Sequence, residues 1–305
     1  MSKNDITIHI VTPFYKGNQY MNDYANSLKN AINHVELVDE SVKFIVTIVN
    51  DSPEVEVETL ALEPLFQANC KVSILPNEMN CGIHQSRVNG ILSADSDFIL
   101  MLDQDDLIGE QVFTKALEKI ATADVLLMNG IYETAIAKET IYRDNLTMKL
   151  SIKEKTLIYT RNLIISPGQT LIRTTAIPKE WFENICSING ADDYMLWLLM
   201  FDKKVRFRYT NDSQYIHRYT SMNLSNNEEK MNDSSDEVMI LLKNAGYPLE
   251  KIKLINKRRQ WKKEFKDSSV LKKIVSIMTH PIIFTYNLVY MVFWNGYKFK
   301  ENDFN

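Results

Sequence analysis

The sequence is poor in cysteine, with only three in 305 residues. Cys70, Cys81 and Cys186 are too scattered for a disulfide framework, and they form no C-x-x-C pair of the kind that binds a metal. This content favours a reducing, cytoplasmic compartment. Basic charge is not in excess either, because the formal net charge is −4. The composition therefore argues against a protein that binds the phosphates of nucleic acids.

Signals for export and for a membrane span are also missing. The first five residues are polar and lead directly into a strand-like segment, without the basic and apolar regions of a signal peptide. No run of 18 uninterrupted apolar residues occurs, and the nearest candidate, 281–294, is too short and too interrupted to span a bilayer. We expect a protein that is made and kept in the cytoplasm.

Three common catalytic signatures are absent: the nucleophile elbow, the Walker loop and G-x-G-x-x-G. Their absence disfavours esterases, P-loop NTPases and enzymes with the usual dinucleotide fingerprint. The 45% hydrophobic and 24% charged residues are typical of a globular protein. The length predicts one large domain or two closely packed halves.

Strand and helix patterns alternate through the first hundred residues. Apolar, often β-branched runs predict strands at 6–12, 44–49, 71–75 and 98–102. Segments with helical spacing predict helices at 22–38, 54–68 and 82–94. This alternation indicates a parallel sheet with helices on both faces. Later patterns predict strands at 125–128, 170–173 and 205–209 and an apolar helix at 194–201.

Polar and acidic residues follow the predicted strands. Thr12 and Pro13 come at the end of the first strand, Asp51 after the second, and the acidic run 103–106 after the fourth. Ligands bind outside the carboxyl ends of strands in such sheets, so we predict a site at this edge.

Three carboxylates in 103–106 repel one another unless cations neutralise them. Such oxygens suit Mg²⁺ or Mn²⁺, ions that bridge to a substrate diphosphate. A solvated acidic loop or a helix N-terminus is the alternative.

Other polar residues allow two interpretations each. Asp51 is suited to accept a hydrogen bond from a nucleobase or ribose, or to form an Asx-turn before Pro53. Asp192 and Asp193 precede the apolar helix. Either the helix dipole stabilises their negative charges at the helix N-terminus, or one of the two is a general base. His217, on a strand, is a structural residue or a ligand.

The order of the motifs is more specific than any one motif. They are Thr12-Pro13-Phe14-Tyr15, Asn50-Asp51-Ser52, Asn80-x-Gly82 with Arg87 and Gly90, Leu102-Asp-Gln-Asp-Asp106, Ala191-Asp-Asp-Tyr-Met-Leu-Trp197, and His217 with Asn223. Over about residues 6–226 this order resembles the family-2 glycosyltransferases of GT-A fold, the bacterial surface-polysaccharide type in particular.

The resemblance implies an α/β GT-A nucleotide-diphospho-sugar transferase fold, with a Rossmann-like, mostly parallel central sheet flanked by helices. Residues 1–226 would form the catalytic domain, with a nucleotide-binding half at 1–106 and an acceptor half at 107–226. Residues 227–305 would form a helical C-terminal extension.

The resemblance also implies roles for individual residues. The nucleotide-sugar would be a UDP-sugar, and the residues that bind it would be Thr12, Pro13, Asp51, Arg87, Asp103 and Gln104. Among them Asp51 would recognise the uracil. Gln104 occupies the variable position of the D-x-D motif. A divalent metal, Mn²⁺ or Mg²⁺, would meet Asp103, Asp105 and His217. Asp193 would be the catalytic base. The acceptor would be contacted, or the site supported, by Asp106, Asp192 and Trp197.

The implied activity is an inverting, metal-dependent hexosyl transfer to a saccharide or polyprenyl-linked saccharide in cell-surface polysaccharide synthesis. One alternative is a non-catalytic nucleotide-sugar-binding or assembly protein on the same fold, for which a missing base would be the signature. Another is a metal-dependent phosphoesterase that uses the acidic run and leaves Asp51 idle.

The C-terminal region differs in charge from the rest. Residues 251–273 hold ten lysines and arginines against two acids, and an apolar, aromatic segment follows at 274–297. Basic residues beside apolar and aromatic ones predict attachment to the inner face of the cell membrane through 251–297. The alternative is a helical hairpin that packs on the catalytic core.

Overall fold

The structure is a computed structural model that describes residues 5–220, 227–266 and 268–293. Asn223 and the end of the predicted tail, 294–297, lie outside the described residues. The strands are β1 Ile6–Phe14, β2 Val42–Asn50, β3 Cys70–Pro76, β4 Phe98–Met101, β5 Leu107–Ile108, β6 Val125–Glu133, β7 Lys138–Thr140, β8 Thr170–Arg173 and β9 Phe207–Arg218.

The helices divide into a set that flanks the sheet and a C-terminal set. The first comprises α1 Asn18–Glu36, α2 Glu63–Phe66, α3 Gly82–Leu92, α4 Val112–Ile120, α5 Asn145–Ser151, α6 Glu154–Tyr159, α7 Lys179–Glu183 and α8 Asp192–Asp202. The second comprises α9 Glu228–Asn244, α10 Leu249–Lys266, α11 Val270–Thr279 and α12 Pro281–Phe293.

The strands form one mixed sheet in the order β3-β2-β1-β4-β8-β6-β9-β5, with β7 paired to β6. The first four strands of this order, β3 to β4, are parallel, as the alternation of strands and helices predicted. The strand β8 is antiparallel to both β4 and β6, and β6 is parallel to β9. The predicted α/β architecture with flanking helices is confirmed.

The central strands are buried on both faces, which explains their continuous apolar sequences. All four residues of β4 are buried, and α1 covers the sheet with the face that carries Met21, Tyr24, Leu28 and Ile32. The helix α3 approaches the sheet closely at Gly90. A Cβ atom there would clash with side-chain atoms of Val11 and Val49, so a larger residue would push the helix away.

The predicted helix at 54–68 is largely wrong. The structure has a short 3₁₀ turn at Thr59–Leu62 followed by the four residues of α2. Residues before the turn are tethered by Asn18, whose side chain donates to the carbonyl of Glu56 and accepts from the amide of Glu58. Those backbone groups are therefore satisfied by a side chain rather than by a helix.

The first two C-terminal helices pack on the core. The hydroxyl of Ser234 on α9 accepts from the Ala191 amide at 3.0 Å, just before α8. Lys251 on α10 forms ion pairs with Glu154 at 2.7 Å and Asp202 at 2.9 Å. Part of the basic segment therefore binds the core, as the alternative interpretation of the tail expects.

The last two helices are joined at a sharp bend of 110°. Among the described residues no single helix is long and apolar enough to cross a membrane, although this bent pair together meets the length and composition of a span.

Candidate functional site

A cleft of about 1780 Å³ opens at the carboxyl ends of β1, β2 and β4. Nine of the residues predicted for the site line it: Pro13, Asp51, Arg87, Asp103, Gln104, Asp105, Asp192, Asp193 and His217. Residues that are up to about two hundred positions apart in the sequence are thus gathered at one edge of the sheet, as the rule for such sheets predicts.

Asp51 lies buried after β2 and organises the loop that leads into α3. Its carboxylate accepts from the side-chain amide of Asn77 at 2.8 Å and from the backbone amides of Cys81 at 2.7 Å and Gly82 at 2.9 Å. A carboxylate has about four acceptor positions, so these bonds leave one for a ligand. Gly82 has a φ of +83°, a backbone conformation that favours glycine.

Arg87 on α3 joins two acidic segments of the cleft. Its guanidinium is buried and lies 2.6 Å from Asp103 Oδ1 and 2.7 Å from Asp192 Oδ2. Asp103 also accepts from the Ser166 hydroxyl at 3.2 Å. Arg87 therefore fixes the acidic run after β4 against the start of α8.

The side chain of Gln104 binds the backbone just after the end of β1. Its amide oxygen accepts from the Tyr15 backbone amide at 2.9 Å, and its amide nitrogen donates to the Tyr15 carbonyl at 3.1 Å. The side chain thus holds the loop beside Pro13 in place.

Asp105 is the acid of the run that no cation pairs with in the described part of the chain. Burial, together with the charges of Asp106 and Asp103, raises the pKa of Asp105 to about 7. A buried carboxylate that lines a cleft and has no cationic partner among the described residues is a suitable ligand for a divalent cation.

Asp106 lies fully buried beneath the cleft and orients His217. Its Oδ1 lies 3.0 Å from Nδ1 of His217 and accepts from the Arg218 amide at 3.1 Å, and its Oδ2 bonds the Tyr215 hydroxyl. Burial opposes protonation of His217, but the charge of Asp106 outweighs it and raises the pKa of His217. A carboxylate on Nδ1 leaves Nε2 for a ligand, as in many metal-binding histidines.

The two acids at the start of α8 have different environments. Burial opposes the ionisation of Asp192, but Arg87 and then His84 outweigh it and lower the pKa of Asp192. Burial and the adjacent charge of Asp192 raise the pKa of Asp193 to about 7. Within the described residues Asp193 accepts only neutral hydrogen bonds, from the Tyr194 amide at 2.6 Å and from the Asn162 side chain at 2.9 Å. One acid is held ionised, and its neighbour can exchange a proton near neutral pH.

Three predicted residues, Thr12, Asp106 and Trp197, do not reach the cleft with their side chains. The direct contact with the nucleotide predicted for the Thr12 side chain is therefore corrected, and of the two roles predicted for Asp106 and Trp197, acceptor contact or support, only support is compatible with the structure. Thr12 is fully buried on β1, where its hydroxyl bonds that of Tyr24 at 2.5 Å. Trp197 is fully buried on α8, a helix whose residues from Asp192 to Met200 are all buried, and it packs edge-on against Phe207. Neither Trp197 nor the buried Asp106 can contact an acceptor; Asp106 supports His217 instead.

The sequence did not single out two groups of residues at the cleft. Asn162 holds the Asp193 carboxylate, and nothing in the sequence around a lone asparagine indicates that role. Cations of α10, Arg258 and Lys262 among them, line the cleft as well. The signal for these cations is the basic run of 251–273, which by sequence pattern alone predicts a membrane-binding segment.

A divalent metal fits this donor set only in part. Within 5–220, 227–266 and 268–293, no group of three or more histidine, cysteine, aspartate and glutamate side chains is arranged to hold an ion. The free carboxylate of Asp105 and the Nε2 of His217 are hard or borderline ligands on the same cleft. Mg²⁺ is commonly bound by one or two carboxylates together with substrate phosphates and water, and these residues suit that arrangement.

The solved structures that this fold resembles include TarS from S. aureus. The structure of its residues 1–349 has a TM-score of 0.58 at 18% identity, and the match covers 92% of this chain and 81% of that chain. The same part of TarS in complex with UDP-GlcNAc has a TM-score of 0.62 at 17% identity, covering 92% and 79%. At this identity the likeness shows the fold. No curated protein matches the chain.

The fold is that of a glycosyltransferase. The family profile described as glycosyl transferase family 2 matches residues 9–181, more than half of the chain. The chain belongs to glycosyl transferase family 2, and the GT-A fold expected from the motifs is confirmed.

Proposed function

We propose that the protein is an inverting, metal-dependent hexosyltransferase that moves a sugar from a UDP-sugar to a saccharide or polyprenyl-linked saccharide in cell-surface polysaccharide synthesis. The observation that carries the proposal is Asp193, a buried carboxylate without a cationic partner in the described residues, which shares one cleft with Asp51 and Asp105. The TarS structure with bound UDP-GlcNAc supports the choice of donor.

In the proposed reaction each of these groups has one role. Asp51 and Pro13 would hold the nucleotide, and Asp105 and His217 would hold a Mn²⁺ or Mg²⁺ ion, with Asp103 beside them. The ion would supply positive charge for the diphosphate as it leaves. The acceptor oxygen forms a bond to the anomeric carbon while the bond from that carbon to the phosphate oxygen breaks. Asp193 takes the hydroxyl proton, and UDP leaves. A single displacement from the opposite face inverts the anomeric centre.

A non-catalytic nucleotide-sugar-binding protein remains the second candidate function. It would need the nucleotide side of the cleft but no base. The hydrogen bonds from Asn162 and Tyr194 that fix Asp193 disfavour it, because a binding protein has no use for an oriented carboxylate on the acceptor side.

The test uses the full chain with UDP and MnCl₂, followed by a panel of UDP-sugars and saccharide acceptors. We expect UDP and Mn²⁺ together to raise the melting temperature. Asp193→Asn should reduce sugar transfer by about 10²–10⁴-fold, the usual contribution of a general base, with UDP binding retained. The exposed Asp95 provides the control Asp95→Asn, which should transfer at the wild-type rate. UDP binding without transfer by the wild type would favour the second candidate, and no binding would reject both.

We also propose that the enzyme works peripherally on the inner face of the cell membrane, through its C-terminal segment. The support comes from α11 rather than from the basic α10. Five apolar side chains of α11 are exposed by half or more: Val270, Leu271, Ile274, Val275 and Met278. Lys272 and Lys273 lie among them in the sequence. An amphipathic helix of this kind suits an anionic lipid surface.

A further inference from the structure

A group of cations lies in the cleft on the same side as Asp193. Arg161, Arg258 and Lys262 all line it. Arg161 precedes Asn162, the residue that holds the Asp193 carboxylate. An Nη atom of Arg258 lies 3.3 Å from the hydroxyl of Tyr194, the residue after Asp193. Arg161 and Arg258 are thus linked to the segments that carry and hold the proposed base, whereas Asp51 and Asp105 belong to the loops after β2 and β4.

None of these three cations forms an ion pair with a carboxylate in the described part of the chain. Arg258 is only 6% exposed, donates to the Thr160 carbonyl at 2.6 Å, and keeps an Nε group without a hydrogen-bond partner. The guanidinium of Arg161 lies over the Tyr290 ring.

Other cations of the same helix are neutralised. Lys251 pairs with two acids, and Arg259 lies 2.5 Å from Asp236. Among the described residues α10 pairs Lys251 and Arg259 with acids, whereas Arg258 and Lys262 line the cleft without an ion pair, as do Lys263 and Lys266.

The three charges act on one another. Desolvation, followed by repulsion from Arg161 and Arg258, lowers the pKa of Lys262, and the charge of Glu228 opposes that shift in part. Burial is the main reason that the pKa of Arg258 is lowered. Neighbouring cations repel one another unless an anion joins them.

We propose that Arg161, Arg258 and Lys262 form an acceptor subsite for a phosphate group, so that the acceptor is a phosphorylated saccharide. This rests on the proposed function, because the acceptor hydroxyl must reach Asp193. Guanidinium groups match phosphate oxygens in pairs, and a lysine adds a further donor. A phosphate group, with up to two negative charges and three free oxygens, suits three cations better than a carboxylate ligand with one negative charge does. The donor diphosphate belongs instead near Asp105.

The subsite is tested with glycerol 3-phosphate as the probe and glycerol as its uncharged counterpart, by calorimetry on the full chain saturated with UDP and Mn²⁺. Arg161 and Lys262 have exposed side chains, so Arg161→Gln and Lys262→Met should leave the fold intact. Each should weaken binding of glycerol 3-phosphate by about tenfold, as expected for a lost charge-assisted hydrogen bond. Lys257, exposed on the same helix outside the cleft, provides the control Lys257→Met, which should bind like the wild type.

The outcomes separate this proposal from the function on which it rests. Equal affinity in all variants, or equal binding of glycerol, would overturn the subsite. Unchanged affinity for glycerol 3-phosphate with weaker sedimentation on phosphatidylglycerol vesicles in Lys262→Met would assign the cations to lipid and also overturn it. If UDP does not bind the wild type but phosphate binding still depends on Lys262, the proposed function fails and the anion site stands.

Discussion

Arg87 and Asp192 form a buried ion pair, with Nη1 of the arginine 2.7 Å from Oδ2 of the aspartate. The side chains are 4% and 3% exposed, so water screens the pair little. Arg87 keeps Asp192 ionised, and that charge helps to raise the pKa of the next residue, Asp193. Two adjacent carboxylates of the same type thus acquire different protonation behaviour from their surroundings.

The pH dependence of transfer should report the proton on Asp193. The base acts only when ionised, and its pKa is raised to about 7 by burial and by Asp192. With donor, metal and acceptor saturating, kcat should rise with pH through about 7 and then level off, losing about tenfold for each unit below that value. Steady-state assays from pH 5.5 to 8.5 measure this. A flat profile would contradict the assignment, and UDP affinity at each pH is the control.

Loss of Arg87 should destabilise the protein strongly. Arg87→Met leaves Asp192 and Asp103 without their cation, and breaking a buried pair from one side costs about 3–5 kcal/mol. Urea unfolding measures the change. The double variant Arg87→Met/Asp192→Asn should recover part of the loss, because the uncompensated charge is removed.

An exposed ion pair provides the control for Arg87. Arg206 lies 2.8 Å from Asp124 with its side chain 65% exposed, so Arg206→Met should cost less than about 1 kcal/mol. Similar losses in Arg87→Met and Arg206→Met would show that the buried pair contributes no more than a surface pair.

The sequence predicted the sheet edge well, because each central strand has its own continuous apolar run and its own polar end. The runs at 6–12 and 44–49 correspond to β1 and β2, and Asp51 and Asp105 lie at the cleft as expected. Local patterns failed at 54–68, where the long-range hydrogen bonds of Asn18 replace a helix.

Pairings between distant residues could not be predicted from local patterns. Arg87 meets Asp192 across 105 positions and Asn162 meets Asp193 across 31, and neither contact leaves a periodic signal. The basic run of 251–273 has one composition but two environments. Arg258 lies in the cleft and Lys257 faces solvent, and only the packing of α10 separates them.

His9 should make the protein less stable in acid. It is fully buried on β1, its Nε2 lies 2.8 Å from the Thr47 hydroxyl, and burial lowers its pKa to about 4. The unfolded chain binds a proton near pH 6.5 and the folded chain does not, so stability falls as the pH drops from about 6.5 towards 4. The contribution of His9 between pH 7 and pH 5 is about 2 kcal/mol.

The variant His9→Gln isolates this contribution. It removes the titrating group and keeps a polar side chain that can reach Thr47, so the loss of stability between pH 7 and pH 5 should shrink by about 2 kcal/mol relative to the wild type. Urea unfolding at both pH values measures the difference. Asn30→Gln, at an exposed position on α1, is the control; it introduces no titrating group and should keep the wild-type dependence. An unchanged pH dependence in His9→Gln would mean that His9 does not govern this loss.

Attachment to the membrane should depend on the apolar face of α11. Leu271 and Val275 are 73% and 54% exposed and lie one turn apart, so both would enter the interface if the helix lies on a lipid surface. Burial of such side chains contributes about 1.5–3 kcal/mol each, so Leu271→Glu/Val275→Glu should reduce binding to phosphatidylglycerol vesicles more than about a hundredfold. Ile240 on α9 is also exposed, at 62%, and Ile240→Glu is the control that should bind like the wild type. Sedimentation with vesicles measures all three proteins, and equal binding by the double variant and the wild type would show that α11 does not attach the enzyme to lipid.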